Sequence, residues 1–234
     1  QYNTLVHNNY IHNTGGEGMY IGHAFYGGYV VNCNGQNDTV YPHSIKGLRV
    51  YNNVLDSTGW DGIQVGCADD DCEIFGNIIT NYGTKKVNGQ NSGIQIGGGT
   101  TGKCYNNFIS RGSGTGITVF GNGFNTIFNN IINKSGYNYF PGDNTKKVYG
   151  IFCDDRTTIQ GSPFNIINNT IVEPKTDGIR FYSILSSNNH IVNNIVVKPG
   201  SYGAYSDLTQ SFIYLTNGVN AIKSNNYFHQ NCSQ

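Results

Sequence analysis

A short motif, usually Asn-Asn followed by two or three apolar residues, recurs eight times along the chain. Its second asparagine falls at Asn9, Asn53, Asn77, Asn107, Asn130, Asn169, Asn194 and Asn226. Neighbouring copies are 23 to 25 residues apart where the connection is shortest, and insertions separate the others further. A repeat of this length with short β-branched runs predicts a solenoid, in which each repeat forms one turn and buries its apolar face against the next.

A second motif, Gly-Ile-x-Val or a variant of it, follows every copy but the last; it includes GIQVG at 62–66 and ends with GAYSD at 203–207. Its alternation predicts a half-buried strand with Ile63 and Val65 inward and Gln64 outward. Asparagine tolerates left-handed backbone and bonds its own backbone in tight turns, so the Asn-Asn pairs predict turns. The same asparagine in each turn would stack into a ladder of side-chain amides. Glycine before the isoleucine supplies a position without a side chain.

These two motifs, found from about Leu5 to Phe228, resemble those of the right-handed parallel β-helix (pectin-lyase-like) superfamily. That superfamily includes pectate lyases, polygalacturonases, alginate lyases and many bacterial surface proteins. The resemblance implies an all-β fold, a single parallel β-helix domain over residues 1–234 with about eight rungs and an asparagine ladder.

The resemblance also implies a secreted or cell-surface protein that acts on or binds a polysaccharide. It would be a lyase or glycoside hydrolase of acidic glycans or, alternatively, a non-catalytic structural or adhesive module of a bacterial surface protein. The Gly-His-Gly and Arg-Ile-Lys motifs of polygalacturonases do not occur in the sequence. The choice between enzyme and module therefore stays open at this point.

Composition restricts the class of partner. Charged residues are 12% of the chain and the formal net charge is zero, which argues against a nucleic-acid-binding protein with its basic surface. No apolar run approaches the roughly 18 residues that a membrane-spanning helix needs, so no membrane insertion is expected. The chain starts at Gln1, almost directly with a repeat. We interpret it as a processed monomeric chain or as a piece of a longer multidomain protein.

Six cysteines are too few for a disulfide scaffold in a chain of 234 residues. Cys104 and Cys153 fall at inward positions of the repeat and are predicted to be buried. Cys33, Cys67 and Cys72 lie near one another in the repeat alignment. A disulfide among these three, which would indicate an exported protein, and three free thiols are both compatible with the sequence.

Insertions between the two motifs are the places where loops could carry function on a rigid scaffold. The first spans residues 23–45, and two others span 84–91 and 136–149. The last two occur at the same point of the repeat and share a Thr-Lys-Lys-Val sequence. We therefore predict that both project over the same edge of the Gly-Ile-x-Val sheet.

Outward positions of the Gly-Ile-x-Val strands would form one face of the solenoid. In order they are Tyr20, Gln64, Gln95, Thr118, Phe152, Arg180 and Tyr205. Strands of neighbouring rungs are only ~5 Å apart, so Gln64 and Gln95 would touch. Two interpretations are open for this pair, a structural amide ladder and a substrate-binding surface.

The candidate catalytic residues are acids and an arginine around two neighbouring strands of this face, namely Asp154, Asp155, Asp177 and Arg180. Paired carboxylates supply the acid and the base or nucleophile of glycoside hydrolysis. Basic side chains beside acids also suit uronate substrates, whose carboxylate is neutralised before proton abstraction. The candidate substrate-binding residues are Arg156, Tyr139, Lys146, Tyr182, Tyr205, Gln64 and Gln95. The alternative for the charged residues is a set of surface ion pairs.

A run of acidic residues, Asp69, Asp70 and Asp71, is the candidate metal site. Carboxylate oxygens in a tight turn are ligands that Ca²⁺ prefers, although the run lacks the alternating spacing of a dedicated calcium loop. The alternative is a solvated acidic turn. We predict that no cofactor is required and that Ca²⁺ is the only candidate ion.

Overall fold

The computed structural model describes residues 1–137, 147–201, 210–216 and 218–230. These residues form strands and turns and no helix, so no helix of the described residues could span a membrane. Three long parallel sheets run along the molecule, and a separate antiparallel hairpin projects from it.

The strands before the asparagine turns form the first sheet: β1 (Leu5–His7), β6 (Arg49–Tyr51), β9 (Cys72–Phe75), β12 (Gly102–Tyr105), β15 (Asn125–Phe128), β18 (Phe164–Ile167), β21 (Asn189–Val192) and β24 (Ala221–Ser224). The strands after these turns form the second sheet: β2 (Tyr10–Thr14), β7 (Val54–Thr58), β10 (Ile78–Thr80), β13 (Phe108–Ser110), β16 (Ile131–Asn133), β19 (Thr170–Val172), β22 (Ile195–Val197) and β25 (Tyr227–His229). The Gly-Ile-x-Val strands form the third sheet: β3 (Met19–Ile21), β8 (Ile63–Val65), β11 (Ile94–Ile96), β14 (Ile117–Val119), β17 (Ile151–Cys153), β20 (Ile179–Phe181) and β23 (Ile213–Leu215). The hairpin consists of β4 (Tyr29–Cys33) and β5 (Gln36–Val40).

Each rung of this solenoid except the last contributes one strand to each sheet, and the rungs stack in register. Ile63, for example, lies beside Met19 of the preceding rung and Ile94 of the following one. The inward side chains of all three sheets meet in one buried core, which includes Cys104 and Cys153 at 0% exposure. The predicted parallel β-helix of eight rungs is confirmed, as is the burial of these two cysteines.

The predicted asparagine ladder is also confirmed, and the two residues of each turn, both asparagine except at Gly76-Asn77, have different functions. The second residue of the turn forms hydrogen bonds to the next rung. The backbone N–H and Nδ2 of Asn77, for example, both donate to Oδ1 of Asn107, at 3.0 and 2.9 Å. The same pair of bonds joins the second asparagine of each turn to that of the next turn, from Asn9 to Asn226. The first residue of the turn is left-handed, as at Asn106 with a φ of 54°. This is a conformation that asparagine tolerates better than most residues.

The position before most third-sheet strands has no room for a side chain, so it requires glycine. A Cβ on Gly93 would lie 2.5 Å from Cγ2 of Ile109 and 2.7 Å from the carbonyl oxygen of Gly116. The φ of Gly93 is outside the left-handed region, so conformational freedom is not the reason for the glycine. The second sheet packs against this corner of the rung so closely that a methyl group does not fit.

We expect Gly93→Ala to lower the free energy of unfolding by about 1–3 kcal/mol, because the added methyl overpacks a tight corner. Chemical denaturation of the variant and the unaltered protein measures this difference. Gly27→Ala is the matched control, because nothing lies within 4 Å of a Cβ built there. Equal effects of the two substitutions would contradict the steric explanation.

The third-sheet position beside Arg180 is taken by a strand that the repeat did not predict. The GAYSD segment at 203–207 lies outside the described residues, and the strand that pairs with β20 at the end of the third sheet is β23. Ile213 pairs with Ile179, which places Tyr214 beside Arg180 at the outward position predicted for Tyr205. The physical reason is the core: Ile213 and Leu215 bury more apolar surface than alanine and serine at the same positions of GAYSD.

The structure contains no disulfide among Cys33, Cys67 and Cys72, which are free thiols. Cys33 ends the first strand of the exposed hairpin, whereas Cys67 and Cys72 are buried in the solenoid wall. The Cys67 thiol donates a hydrogen bond to the carbonyl oxygen of His23, at 3.1 Å. Burial raises the pKa of Cys72 to about 12, so this thiol is a small buried apolar group.

Candidate functional site

The middle of the outer face of the third sheet is covered by loops. Gln64, Gln95 and Thr118 point outward from their strands, yet only 3%, 5% and 5% of each residue is exposed. The insertion at 84–91 contributes Gly89 and Gln90 to this cover. The predicted position of that insertion over the edge of the third sheet is therefore confirmed.

A cleft of about 220 Å³ lies between this cover and the sheet. The floor is formed by the two outward glutamines, one wall by the insertion, and the other wall by residues that follow later strands. The lining residues are Ala24, Gln64, Gly89, Gln90, Gln95, Gly97, Gly98, Phe120, Arg156 and Thr157. Four rungs and two insertions therefore meet at one small polar and aromatic site.

Unpaired amides are the unusual feature of the floor. Gln64 lies beside Gln95 in the strand register, but the Oε1 atoms of Gln64 and Gln90 have no hydrogen-bond partner among the described residues. An amide ladder of Gln64 and Gln95 does not engage the Gln64 oxygen. A buried polar atom without a partner costs about 1–3 kcal/mol, which a ligand that donates a hydrogen bond would recover.

The wall beside the glutamines combines an aromatic ring with a cation. The Arg156 guanidinium carbon lies 4.1 Å from the centre of the Phe120 ring, a cation–π arrangement. Asp154 holds this arginine: its carboxylate accepts hydrogen bonds from the backbone N–H and from Nε of Arg156, at 2.9 and 3.0 Å. The Arg156 side chain is 64% exposed, so this ion pair orients the guanidinium at the mouth of the cleft.

Aromatic rings continue from the cleft along the third sheet. Phe152 meets Phe120 edge to face at 6.3 Å and stacks on Tyr149 at 5.2 Å. Arg180 ends the row, with its guanidinium carbon 3.8 Å from the centre of the Tyr214 ring. Burial is the main cause that raises the pKa of Tyr149 to about 12, so this phenol stays neutral.

The four predicted catalytic residues do not form one group. In the register of β17 and β20, Asp154 follows one strand while Asp177 precedes the next. They are five positions apart along the strand direction, which is roughly 16 Å. Asp154 pairs with Arg156, and Asp177 pairs with Arg180 at 3.3 Å. The structure therefore does not bring Asp154 and Asp177 together as a carboxylate pair.

The other predicted residues of this group are scattered. Asp155 is half-buried and accepts a hydrogen bond from the backbone N–H of Ile184, at 2.9 Å. Tyr182 is 50% exposed and follows β20, at the same end of the sheet as Asp154. Three predicted binding residues, Tyr139, Lys146 and Tyr205, lie outside the described residues.

The acidic turn does not assemble as a metal site. The Asp71 carboxylate pairs with Arg49 at 2.6 Å, and Asp70 is exposed. Asp69 buries one carboxylate oxygen without a hydrogen-bond partner. Nowhere in the described ranges do three His, Cys, Asp or Glu side chains gather closely enough to hold a metal ion. The arrangement is that of a surface turn held by an ion pair.

One titratable group near this face was not among the predicted site residues. Asp61 is fully buried just before β8; its Oδ1 accepts a hydrogen bond from the backbone N–H of Ser92, and its Oδ2 has no partner among the described residues. Burial, opposed by the bond from Ser92 and reinforced by the charge of Glu17, raises the pKa of Asp61 to about 7. The sequence feature that could have indicated a buried Asp61 is its position just before the core strand β8.

Two larger depressions lie away from this face. One, of about 480 Å³, is lined by Phe212, Ile213 and Phe228 at the last rung, where Lys223 takes the inward position beside Ile191. This depression is the place where the apolar core of the solenoid ends. The other, of about 390 Å³, lies beneath the projecting hairpin. None of the buried unpaired side-chain atoms found in the described ranges belongs to the lining of either depression.

The family model described as the right-handed β-helix region matches residues 29–218. This match covers most of the chain and agrees with the three parallel sheets and the asparagine ladder. The chain therefore belongs to the right-handed β-helix family. Neither the search of curated proteins nor the search of solved structures found a match.

Proposed function

We propose that the cleft on the third sheet binds one sugar unit of a polysaccharide, and that the protein acts as an extracellular or cell-surface polysaccharide-binding protein. The observation that carries this proposal is the pair of unpaired amide oxygens, Gln64 Oε1 and Gln90 Oε1, at the cleft beside an aromatic ring and an arginine. The localisation rests on the resemblance to exported β-helix proteins.

The chemistry of the lining suits a pyranose ring. Sugar hydroxyls donate hydrogen bonds, which the oxygens of Gln64 and Gln90 require. The Phe120 ring offers an apolar surface for the C–H groups of a sugar. Arg156 adds a cation that favours a sugar carrying a carboxylate. The volume of about 220 Å³ is below the usual range for drug-sized ligands and suits a single sugar unit, with the aromatic row beside it available to the neighbouring units.

The placement of the acids favours binding over cleavage. Asp154 and Asp177 lie at opposite ends of their strands, and each pairs with an arginine. Cleavage is the second candidate function, and the observation in its favour is Asp61. A carboxyl group with a pKa near 7 has the acidity that a general acid or base needs at neutral pH.

Gln64→Ala tests the binding site. We expect affinity for the recognised polysaccharide to fall about tenfold, the loss of roughly 1–1.5 kcal/mol that one hydrogen bond to a buried group supplies. We also expect the thermal midpoint of the free protein to stay the same or rise, because the variant removes an unpaired buried oxygen. A glycan array identifies the polysaccharide, and calorimetry with neutral and uronate-containing fragments measures the affinity.

Gln160→Ala, at an exposed glutamine outside the cleft, is the matched control and should bind as the unaltered protein does. Binding that is equally strong in Gln64→Ala would overturn the cleft as the binding site. Release of reducing ends or unsaturated products in the same assays would favour cleavage instead.

A further inference from the structure

The second sheet carries an uncovered apolar row along the molecule. It consists of the first residue of each strand, which points outward: Tyr10, Val54, Ile78, Phe108, Ile131, Thr170, Ile195 and Tyr227. All except Thr170 are large apolar residues, and their exposed fractions run from 36% at Val54 to 66% at Tyr10. These residues are in register, so their side chains form one straight line at the ~4.8 Å spacing of the rungs.

The size of this row is unusual for a monomer surface. Its seven apolar residues expose on the order of 600 Å² together, as large as the largest patch of a typical monomer. A standard interface buries about 800 Å² on each partner. The row therefore supplies most of what one side of a stable interface requires, and the residues on its flanks supply the rest.

Charge on the same face lies mainly at one edge, where Lys134 and Lys198 form ion pairs with Glu173 just after the strands. The third residues of the strands also point outward: His12, Asp56, Thr80, Ser110, Asn133, Val172, Val197 and His229. Asp56 is the only carboxylate in this set, and it accepts hydrogen bonds from Thr80 and Asn81. Neither outward set contains lysine or arginine. The first sheet differs, because Arg49, Glu73 and Lys103 form ion pairs across its outer face.

We propose that the second sheet is the interface of a homodimer, in which two copies pack these faces against each other about a two-fold axis. A two-fold interface places each surface against itself, so it requires a face that is neutral and self-complementary. A straight row of apolar side chains at constant spacing meets that requirement, since two such rows interdigitate at the ~10 Å separation of packed sheets. A charged partner finds no complementary group on either outward set.

The double variant Ile78→Lys/Ile131→Lys tests the interface. Both positions are exposed in one copy, so the fold tolerates the lysines, and circular dichroism with thermal unfolding verifies this. We expect the unaltered chain to sediment as a dimer at about 50 μM and the double variant as a monomer, with a dimer dissociation constant that is at least about a hundredfold higher. Sedimentation velocity over a dilution series gives both states.

Ile184→Lys is the matched control, because Ile184 is 61% exposed in a loop beyond the third sheet. This variant should remain dimeric. A monomeric unaltered chain at 50 μM would overturn the proposal, as would equal dissociation by the Ile184→Lys control. A dimer that persists in the folded double variant would also overturn it, because the contact would then lie elsewhere.

Discussion

Asn107→Ala is expected to lower the free energy of unfolding by about 4 kcal/mol or more. Asn107 lies in the middle of the ladder and is 2% exposed. Its Oδ1 accepts both bonds from Asn77, and its Nδ2 donates to the carbonyl oxygen of Ile74 at 3.0 Å and to Oδ1 of Asn130 at 2.9 Å. Alanine leaves several of these buried groups without a partner, and each one costs about 1–3 kcal/mol.

The adjacent residue provides the control. Asn106 is exposed and has a left-handed backbone, with a φ of 54°. Glycine adopts this conformation without steric cost, so Asn106→Gly should leave stability nearly unchanged. Denaturation in guanidinium chloride compares the two variants. If they lose similar stability, the ladder does not provide the stabilisation assigned to it.

The shape of the transition carries further information. Each rung of a solenoid contacts only its neighbours, so stability is close to a sum of rung terms and interface terms. Weakening a central interface should broaden the transition or split it, because the two halves then unfold less cooperatively. Asn9→Ala, at the end of the ladder, is expected to reduce stability less and to leave a single transition.

The fold could be predicted from the sequence because its determinants are local and repeated. The turn needs a left-handed residue and then a ladder asparagine, and both needs appear together as Asn-Asn. The corner before the third sheet excludes a side chain, which explains the glycine at Gly93 and at the equivalent positions. The turn recurs in all eight rungs and the glycine precedes six of the seven third-sheet strands, so many weak signals add up to a clear one.

The strand register is needed to see that the candidate catalytic acids are far apart. Asp154 and Asp177 appear close because they belong to neighbouring rungs. One lies after its strand and the other before, however, and a difference of five positions along the strand outweighs the short distance between rungs. The sequence placed both residues on the correct rungs, and counting positions relative to the strand would have separated them.

The cleft depended on loops, which the repeat does not specify. The sequence placed Gln64 and Gln95 side by side, and the register confirms this. Whether their amides bond each other depends on side-chain rotamers and on the cover that Gln90 provides. The repeat also misplaced the last outward tyrosine, because the connection before β23 departs from the regular length and Tyr214 takes that position.

The second large effect is a loss of stability with rising pH that Asp61→Asn removes. Burial is the principal cause that raises the pKa of Asp61 to about 7, from an ordinary value of 3.8. The folded protein therefore holds a proton that the unfolded chain releases between these two values. Folding is unaffected by this group below about pH 4, and stability falls as the pH rises toward 7, by about 4 kcal/mol in total.

Asparagine at this position keeps the acceptor for the Ser92 N–H and cannot ionise. We expect Asp61→Asn and the unaltered protein to have similar stability at pH 4, and the variant to be more stable at pH 8. Denaturant titrations at several pH values measure the difference. Asp56→Asn is the control with the opposite sign, because hydrogen bonds from Thr80 and Asn81 help to lower the pKa of Asp56. That substitution should remove stability above pH 4.

The same variant separates the two candidate functions of the third sheet. Asp61 does not line the cleft, so Asp61→Asn should bind polysaccharide as the unaltered protein does while Gln64→Ala does not. A protein that uses Asp61 as a proton donor or acceptor would instead lose turnover in Asp61→Asn and retain binding. If the pH dependence of stability persists in Asp61→Asn, another group carries it. Asp61 then ionises as an ordinary carboxylate, and the argument for cleavage loses its support, because no other described acid on this face combines full burial with an unpaired oxygen.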